Sequence, residues 1–140
     1  MAKADDRKML PPPLRSGREL LPYTNNNDHY VDRMKGVIVI VAYRPKPGKE
    51  RELLDLVRNR VPSLRKEGLV TDRKPIIMRA HDGTMIEVSE WKSQEAIDAA
   101  HKNPNVWTMW EKFFAACEFV PLKNLREAEE MFAGFDPIAD

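Results

Sequence analysis

The first strongly patterned segment, residues 37–43, reads VIVIVAY and has no charged or amide side chain. β-Branched residues dominate it, which favours a strand. A strand with one solvated face alternates apolar and polar residues, so this pattern predicts a strand covered on both faces. Any fold for this chain must therefore place a layer of protein on each side of the sheet.

Helical periodicity follows in residues 49–66. The apolar stripe on one face of this predicted helix consists of Leu53, Leu54, Val57, Val61 and Leu64. Residues at this spacing bury one side of a helix against a core. Pro62 is predicted to kink or shorten the last turn, and Gly68 to end the helix.

A hairpin is the next signal. Residues 69–80 predict a second strand, in which Pro75 restricts the early half to a sheet edge or a bulge. Asp82 and Gly83 form a two-residue turn between apolar runs, and residues 84–92 predict the returning strand.

Two capped helices and a last strand come after the hairpin. Ser93 is predicted to cap one helix. Asn103 and Pro104 end that helix and begin another over residues 105–116. Residues 118–122 then predict the last strand.

Both ends of the chain differ from this central part. Residues 1–36 are rich in proline and asparagine and predict an extended arm, docked on a folded body or disordered. At the other end, Asn124 and Glu127 have the spacing of a capping box. They predict a C-terminal helix that ends at Gly134, within a tail over residues 125–140.

The order strand, helix, strand, strand, helix, strand over residues 37–124 predicts an α+β fold, the βαββαβ ferredoxin-like sandwich. Its four-stranded antiparallel sheet carries helices on one face only. Because residues 37–43 are apolar on both faces, we expect a second copy to pack sheet on sheet, which gives a homodimer and closes an α/β barrel.

Charge and composition exclude several kinds of partner and site. The formal net charge is +1, with basic and acidic residues interspersed, so nucleic acid and anionic membranes are not the expected partners. Cys117 is the single cysteine, which suits a reducing compartment. No apolar run approaches the ~20 residues that span a bilayer. The three histidines lack metal-ligand spacing. We expect a cytoplasmic protein without a metal site.

The motifs KPGKE (residues 46–50) and EWKSQEAIDAAHKNPNV (residues 90–106), within this order of elements, resemble the antibiotic biosynthesis monooxygenase superfamily of dimeric α/β barrels. The resemblance covers residues 37–122. It implies a pocket in each subunit between the sheet and its helices. Some members oxidise quinol- or anthrone-like aromatics with molecular oxygen and no bound cofactor, and others degrade haem.

The polar positions of the haem-degrading members do not match this chain. An asparagine on the first strand falls on Val41, and the Trp/His pair of the helices falls on Ala100 and Trp110. Haem degradation is therefore disfavoured. If the protein is an enzyme, the resemblance implies cofactor-free oxygenation of a small hydrophobic aromatic molecule, whereas the departures from the family's polar positions favour a non-catalytic module.

Aromatic and apolar side chains are the candidate ligand-binding residues. They are Trp91, Trp107, Trp110, Met78 and Phe113. Flat aromatic walls stack on a planar substrate and exclude water from a reactive anion. The same residues at helical spacing are equally typical of an ordinary core, most of all Trp110.

Three residues are the candidate catalytic groups. His101 is a candidate general base that could take a phenolic or enolic proton, although a histidine at a helix C-terminus also stabilises the helix dipole. Tyr43 and Arg79 are candidates to stabilise developing negative charge. Arg79 and Glu87 lie on the two hairpin strands, where a pocket and a cross-strand ion pair remain alternatives.

Two functions stay open at this point. One is a cofactor-independent monooxygenase acting on an electron-rich aromatic. The other is a non-catalytic module that binds a small ligand or another protein. An interior filled by Trp110, Phe113 and Met78 favours the module, whereas an open cavity reached by His101 favours the enzyme.

Overall fold

The structure is a computed structural model that describes residues 35–139. The predicted N-terminal arm, apart from its last two residues, lies outside the described residues.

The described residues form three helices and five strands. In chain order they are β1 (Val37–Pro45), α1 (Glu50–Lys66), β2 (Ile76–Arg79), β3 (Met85–Trp91), α2 (Gln94–Ala100), α3 (Pro104–Ala116), β4 (Cys117–Val120) and β5 (Asp136–Pro137). All pairings are antiparallel, in the order β4-β1-β3-β2-β5. The first four strands have the arrangement of a ferredoxin-like sandwich, so the predicted fold class is confirmed. The two-residue β5 is an addition that the sequence pattern does not predict.

The ends of α1 follow helix electrostatics. Glu50 and Glu52 lie in its first turn and Arg65 in its last, which complements the helix dipole. The helix continues past Pro62 to Lys66, so the predicted shortening does not occur. Gly68, at φ +73°, donates its N–H to the Arg65 carbonyl and ends the helix as predicted.

The predicted boundaries around α2 and α3 are confirmed by side-chain caps. Ser93 Oγ accepts a hydrogen bond from the Ala96 N–H at 3.1 Å. Asn103 Oδ1 accepts from the N–H groups of Asn105 and Val106, at 2.9 and 3.2 Å. Such caps satisfy N–H groups that the first helical turn leaves without partners.

The helix-facing side of the sheet carries most of the core. The register pairs Val37 with Trp91 and Tyr43 with Met85 across β1 and β3, so alternate residues between these pairs share this face. Two apolar clusters result. The first surrounds Trp91 and Trp110, and the second surrounds Tyr43 and Phe113.

The second face of the sheet is covered over one half only. Leu125 is buried and Phe135 is half-buried against Ala42, Ile86 and their neighbours. This cover is formed by residues 121–138, which we call the C-terminal layer. The other half of the face exposes large apolar side chains: Ile38, Ile40 and Ile76. Within one chain, the expectation that both faces of β1 are covered therefore holds for half of the strand.

The C-terminal layer contains two short 3₁₀ turns, Leu122–Asn124 and Arg126–Glu129, in place of one continuous helix to Gly134. The predicted capping box does not form. Glu127 instead accepts a hydrogen bond from the His81 N–H at 2.8 Å, which ties the layer to the hairpin turn. The Glu127 side chain, which the local motif predicts as a helix cap, thus makes a tertiary hydrogen bond instead.

Candidate functional site

A cluster of polar side chains lies inside the otherwise apolar space between sheet and helices. Tyr43 on β1, Arg60 on α1 and Glu87 on β3 form it, and each is at most 2% exposed. Glu87 lies on this face because its strand alternates, with Met85 and Trp91 pointing the same way. Arg60 lies on the buried stripe of α1, one turn from Val57 and from Leu64.

The cluster is joined through one carboxylate oxygen. Glu87 Oε1 accepts from the Tyr43 hydroxyl at 2.9 Å and from Arg60 Nη1 at 3.0 Å. Arg60 Nη1 also lies 3.3 Å from Ser89 Oγ, and its guanidinium carbon lies 5.7 Å from the centre of the Trp91 ring. The cation is therefore held between a carboxylate and an aromatic face.

Two polar atoms of this cluster are left without hydrogen-bond partners among the described residues. They are Arg60 Nη2 and Glu87 Oε2, and both are buried. A buried donor and acceptor without partners cost free energy, typically about 1–3 kcal/mol each. Such buried groups without partners occur in native structures where a catalytic role, a bound water or an ion accounts for them.

Burial also changes the proton affinity of these groups. It raises the pKa of Glu87, although the charge of Arg60 and the Tyr43 hydroxyl act in the opposite direction. Burial likewise raises the pKa of Tyr43 well above its ordinary value. Buried groups with perturbed pKa values and a specific charge partner are enriched at functional sites, which makes Glu87 a candidate acid–base residue.

His101 packs against the first apolar cluster, which contains Trp91 and Trp110. The His101 ring packs edge-on against Trp110 at 5.3 Å, and its Nδ1 lies 2.9 Å from the Ile97 carbonyl. Trp107 packs on Trp110 and donates its indole N–H to the His101 carbonyl. Trp91 belongs to the same cluster. The structure thus brings His101 together with the three predicted aromatic walls.

The remaining candidates are distributed differently. Tyr43 and Phe113 stack at 5.1 Å in the second apolar cluster. Arg79 is exposed at the end of β2, and Met78 lies on the second face of the sheet, beneath the C-terminal layer. Of the two alternatives for Glu87, a position facing a pocket and a cross-strand ion pair with Arg79, the structure shows the side chain facing the interior. Its partner there is Arg60.

Arg60 and Ser89 are members of the cluster that the sequence analysis did not single out. The sequence does contain an indication for Arg60. Its spacing from Val57 and Leu64 places it on the buried side of the helix, and a buried arginine needs a partner for its charge. The sequence does not identify that partner, which comes from a strand 27 residues further along the chain.

A groove of about 540 Å³ runs along the outside of the helical layer, between α1 and α3. Its wall towards the interior includes Leu56, Leu64, Val106 and Met109. These four side chains also pack on the two core clusters. They separate the groove from the interior that holds Arg60 and Glu87.

Cys117 is buried at the start of β4, and burial raises the pKa of its thiol to about 12. At pH 8 about one thiol in ten thousand is then ionised, and the thiolate is the reactive form. We expect the folded protein not to react with a disulfide reagent such as Ellman's reagent within minutes. In denaturant, one equivalent should react at once. Rapid reaction of the native protein would contradict this burial.

Residues 35–139 contain no group of three or more histidine, cysteine, aspartate or glutamate side chains placed to hold a metal ion. Among the helices of the same part of the chain, none combines the length and hydropathy needed to cross a bilayer.

Comparison with known proteins gives one match. The profile of the antibiotic biosynthesis monooxygenase family (ABM) matches residues 36–112, more than half of the chain. The match extends from β1 into α3 and includes Tyr43, Arg60 and Glu87. No curated protein and no solved structure matches.

Proposed function

This chain belongs to the antibiotic biosynthesis monooxygenase family, and on that premise we propose that it is a cofactor-independent monooxygenase acting on a small electron-rich aromatic, a quinol or an anthrone. The observation that carries the proposal is the buried Tyr43–Arg60–Glu87 cluster with its two free polar atoms. The cluster lies between the sheet and the helices.

The chemistry needs little from the protein. For an anthrone the net change is CH₂ + O₂ → C=O + H₂O, with one oxygen atom entering the product and the other leaving as water. The substrate first loses a proton, and the resulting anion supplies the electrons that reduce oxygen. The protein must therefore remove a proton, hold an anion and exclude water.

The free atoms of the cluster have the polarity that this task requires. Glu87 Oε2 is an acceptor that can take the proton, and Arg60 Nη2 is a donor that can stabilise the oxyanion. Trp91 lies beside the guanidinium and offers a surface on which a planar ring can stack. In this proposal Glu87 is the base, and His101 positions Trp107 and Trp110.

Access is proposed to run through the groove between α1 and α3. The cluster itself is at most 2% exposed, so a substrate must displace part of the wall that separates it from the groove. Met109 is half-buried in that wall, and its flexible side chain adapts readily to a bound molecule.

Oxygen uptake tests the proposal. We expect the protein to accelerate oxygen consumption by anthrone or a substituted hydroquinone above the protein-free rate. Glu87→Gln should lower kcat on the order of 100-fold, since general base catalysis contributes about 10²–10⁴-fold. Glu118→Gln, an exposed glutamate on β4, is the matched control and should keep full activity. Equal rates for both variants would remove Glu87 from the mechanism.

We also propose that the protein is a homodimer formed through the second face of the sheet. Ile38, Ile40 and Ile76 are 54%, 47% and 59% exposed there. Together they form an apolar patch of the kind that monomeric proteins rarely leave in contact with water. A second copy is the simplest cover, since a two-fold axis pairs the patch with itself.

A non-catalytic binding or interaction module is the second candidate, and a specific observation favours it. Trp110 and Phe113 are buried in the interior, as expected of a module, whereas Met78, the third residue named for that role, lies on the second face of the sheet. Native mass spectrometry of the purified protein separates the two functions when combined with oxygen uptake. A tightly held small molecule without turnover would favour the module.

A further inference from the structure

The C-terminal layer contains an exposed apolar segment, which we call the tip, that no contact within residues 35–139 explains. Met131 and Phe132 are adjacent in sequence and are 89% and 88% exposed. Single exposed apolar residues are common, but two large neighbours presented almost completely to water are typical of a binding surface.

The tip is held from both sides, so it is presented by an anchored segment. Before it, Leu125 is buried on the second face of the sheet, and Glu127 accepts a hydrogen bond from the His81 N–H. After it, Phe135 packs on the same face, and the Ile138 N–H donates to the Ile77 carbonyl at 2.9 Å. These anchors hold the tip between the hairpin turn at His81 and the end of β2, where Asp136 pairs with Arg79.

The edge of the C-terminal layer forms a step on the second face of the sheet. The layer covers the half that contains Ala42 and Ile86, and it leaves bare the half that contains Ile38, Ile40 and Ile76. Layers packed on a sheet stand about 10 Å above it. Any second copy seated on the bare half therefore lies beside the C-terminal layer, to which Met131 and Phe132 belong.

We propose that Met131 and Phe132 of each subunit bind the second copy of the chain, packing against its bare sheet half at Ile38, Ile40 and Ile76. The inference rests on the homodimer proposed above and adds the residues that clasp it. Two-fold symmetry makes the contact reciprocal, so each tip covers the patch that the partner chain leaves exposed. The large aromatic side chain of Phe132 is the anchor of each contact.

Cross-linking tests the contact directly. In a Cys117→Ser background, Phe132→Cys protein is mixed with Ile76→Cys or Ile38→Cys protein and oxidised mildly. Because each chain then has one cysteine, every disulfide joins two chains. We expect a mixed dimer that forms more readily than either self-linked dimer, seen on a non-reducing gel with tagged chains. If the Phe132→Cys protein forms a mixed dimer neither with the Ile76→Cys protein nor with the Ile38→Cys protein, the proposal is overturned.

Dimer affinity provides the second readout. The double variant Met131→Ser with Phe132→Ser should raise the dimer dissociation constant at least tenfold, measured by analytical ultracentrifugation. Both side chains are exposed in the single chain, so this variant is expected to fold. Lys123→Ser, an exposed change in the same layer, is the control and should leave the constant unchanged.

The outcomes separate this inference from the dimer on which it rests. A wild-type protein that stays monomeric at high concentration would refute the dimer, and the clasp with it. A stable wild-type dimer that the double serine variant does not weaken would refute the clasp alone. The tip would then belong to contact with another kind of partner.

Discussion

Replacing Glu87 with alanine is expected to lower the free energy of unfolding by about 3–5 kcal/mol, the typical cost of removing one partner of a buried ion pair. The change leaves the Arg60 guanidinium buried and without its carboxylate, and arginine cannot lose its charge at any ordinary pH. Unfolding in guanidinium chloride, monitored by tryptophan fluorescence and circular dichroism, measures the loss.

Glu118→Ala is the matched control, since it removes an exposed glutamate from β4, an edge strand of the same sheet. It should change the free energy of unfolding by no more than about 0.5 kcal/mol. Similar values for the two variants would contradict the buried ion pair.

The reciprocal variant, Arg60→Ala, should show a different pH dependence. It leaves Glu87 buried without its cation, so the folded-state pKa of this carboxyl, already raised by burial, rises further. A carboxyl with a raised folded pKa is protonated more easily in the folded than in the unfolded state. The stability of the variant is therefore closest to that of wild type below the pKa that Glu87 has in the unfolded chain. It falls relative to wild type as pH rises through the pKa that Glu87 has in the folded variant. Denaturation at pH 5 and at pH 8 should show the larger loss at pH 8.

Replacing Ile40 with lysine is expected to convert the proposed dimer to monomers. Ile40 is 47% exposed in the single chain, so the lysine can reach water there and the subunit should stay folded. In a sheet-on-sheet interface the same ammonium is buried without a partner, at a cost of several kcal/mol. Since each 1.4 kcal/mol is a factor of ten, the dissociation constant should rise at least 100-fold.

Sedimentation equilibrium across a dilution series measures this constant. Ala115→Lys, on an exposed position of α3, places the same charge on the opposite side of the subunit and should leave the dimer intact. Unchanged association of the Ile40→Lys protein would exclude the second face of the sheet as the interface.

Much of the fold follows from local sequence patterns. The caps at Ser93 and Asn103, the stop at Gly68 and the turn at Asp82–Gly83 depend on side-chain and backbone chemistry within a few residues. Such interactions are the same before and after the chain packs, which is why they are readable in advance.

The C-terminal tail shows where local patterns stop being sufficient. Asn124 and Glu127 have the spacing of a capping box, but Glu127 bonds the backbone of His81, 46 residues away. The choice between a local and a distant partner is made by packing, since Leu125 must bury itself on the second face of the sheet. Neither the short strand β5 nor the apolar tip at Met131 and Phe132 has a local signal that predicts its place.

The sequence alone determined the order of elements, the ferredoxin-like class and the family resemblance, because periodicity, capping and turn chemistry act over short separations. The tertiary structure decided which polar residues meet. His101 lies among the tryptophans, while Arg60 joins Tyr43 and Glu87 from three separate elements. Burial then changes their chemistry, because packing removes the water that stabilises the charged form of Glu87 and of Tyr43.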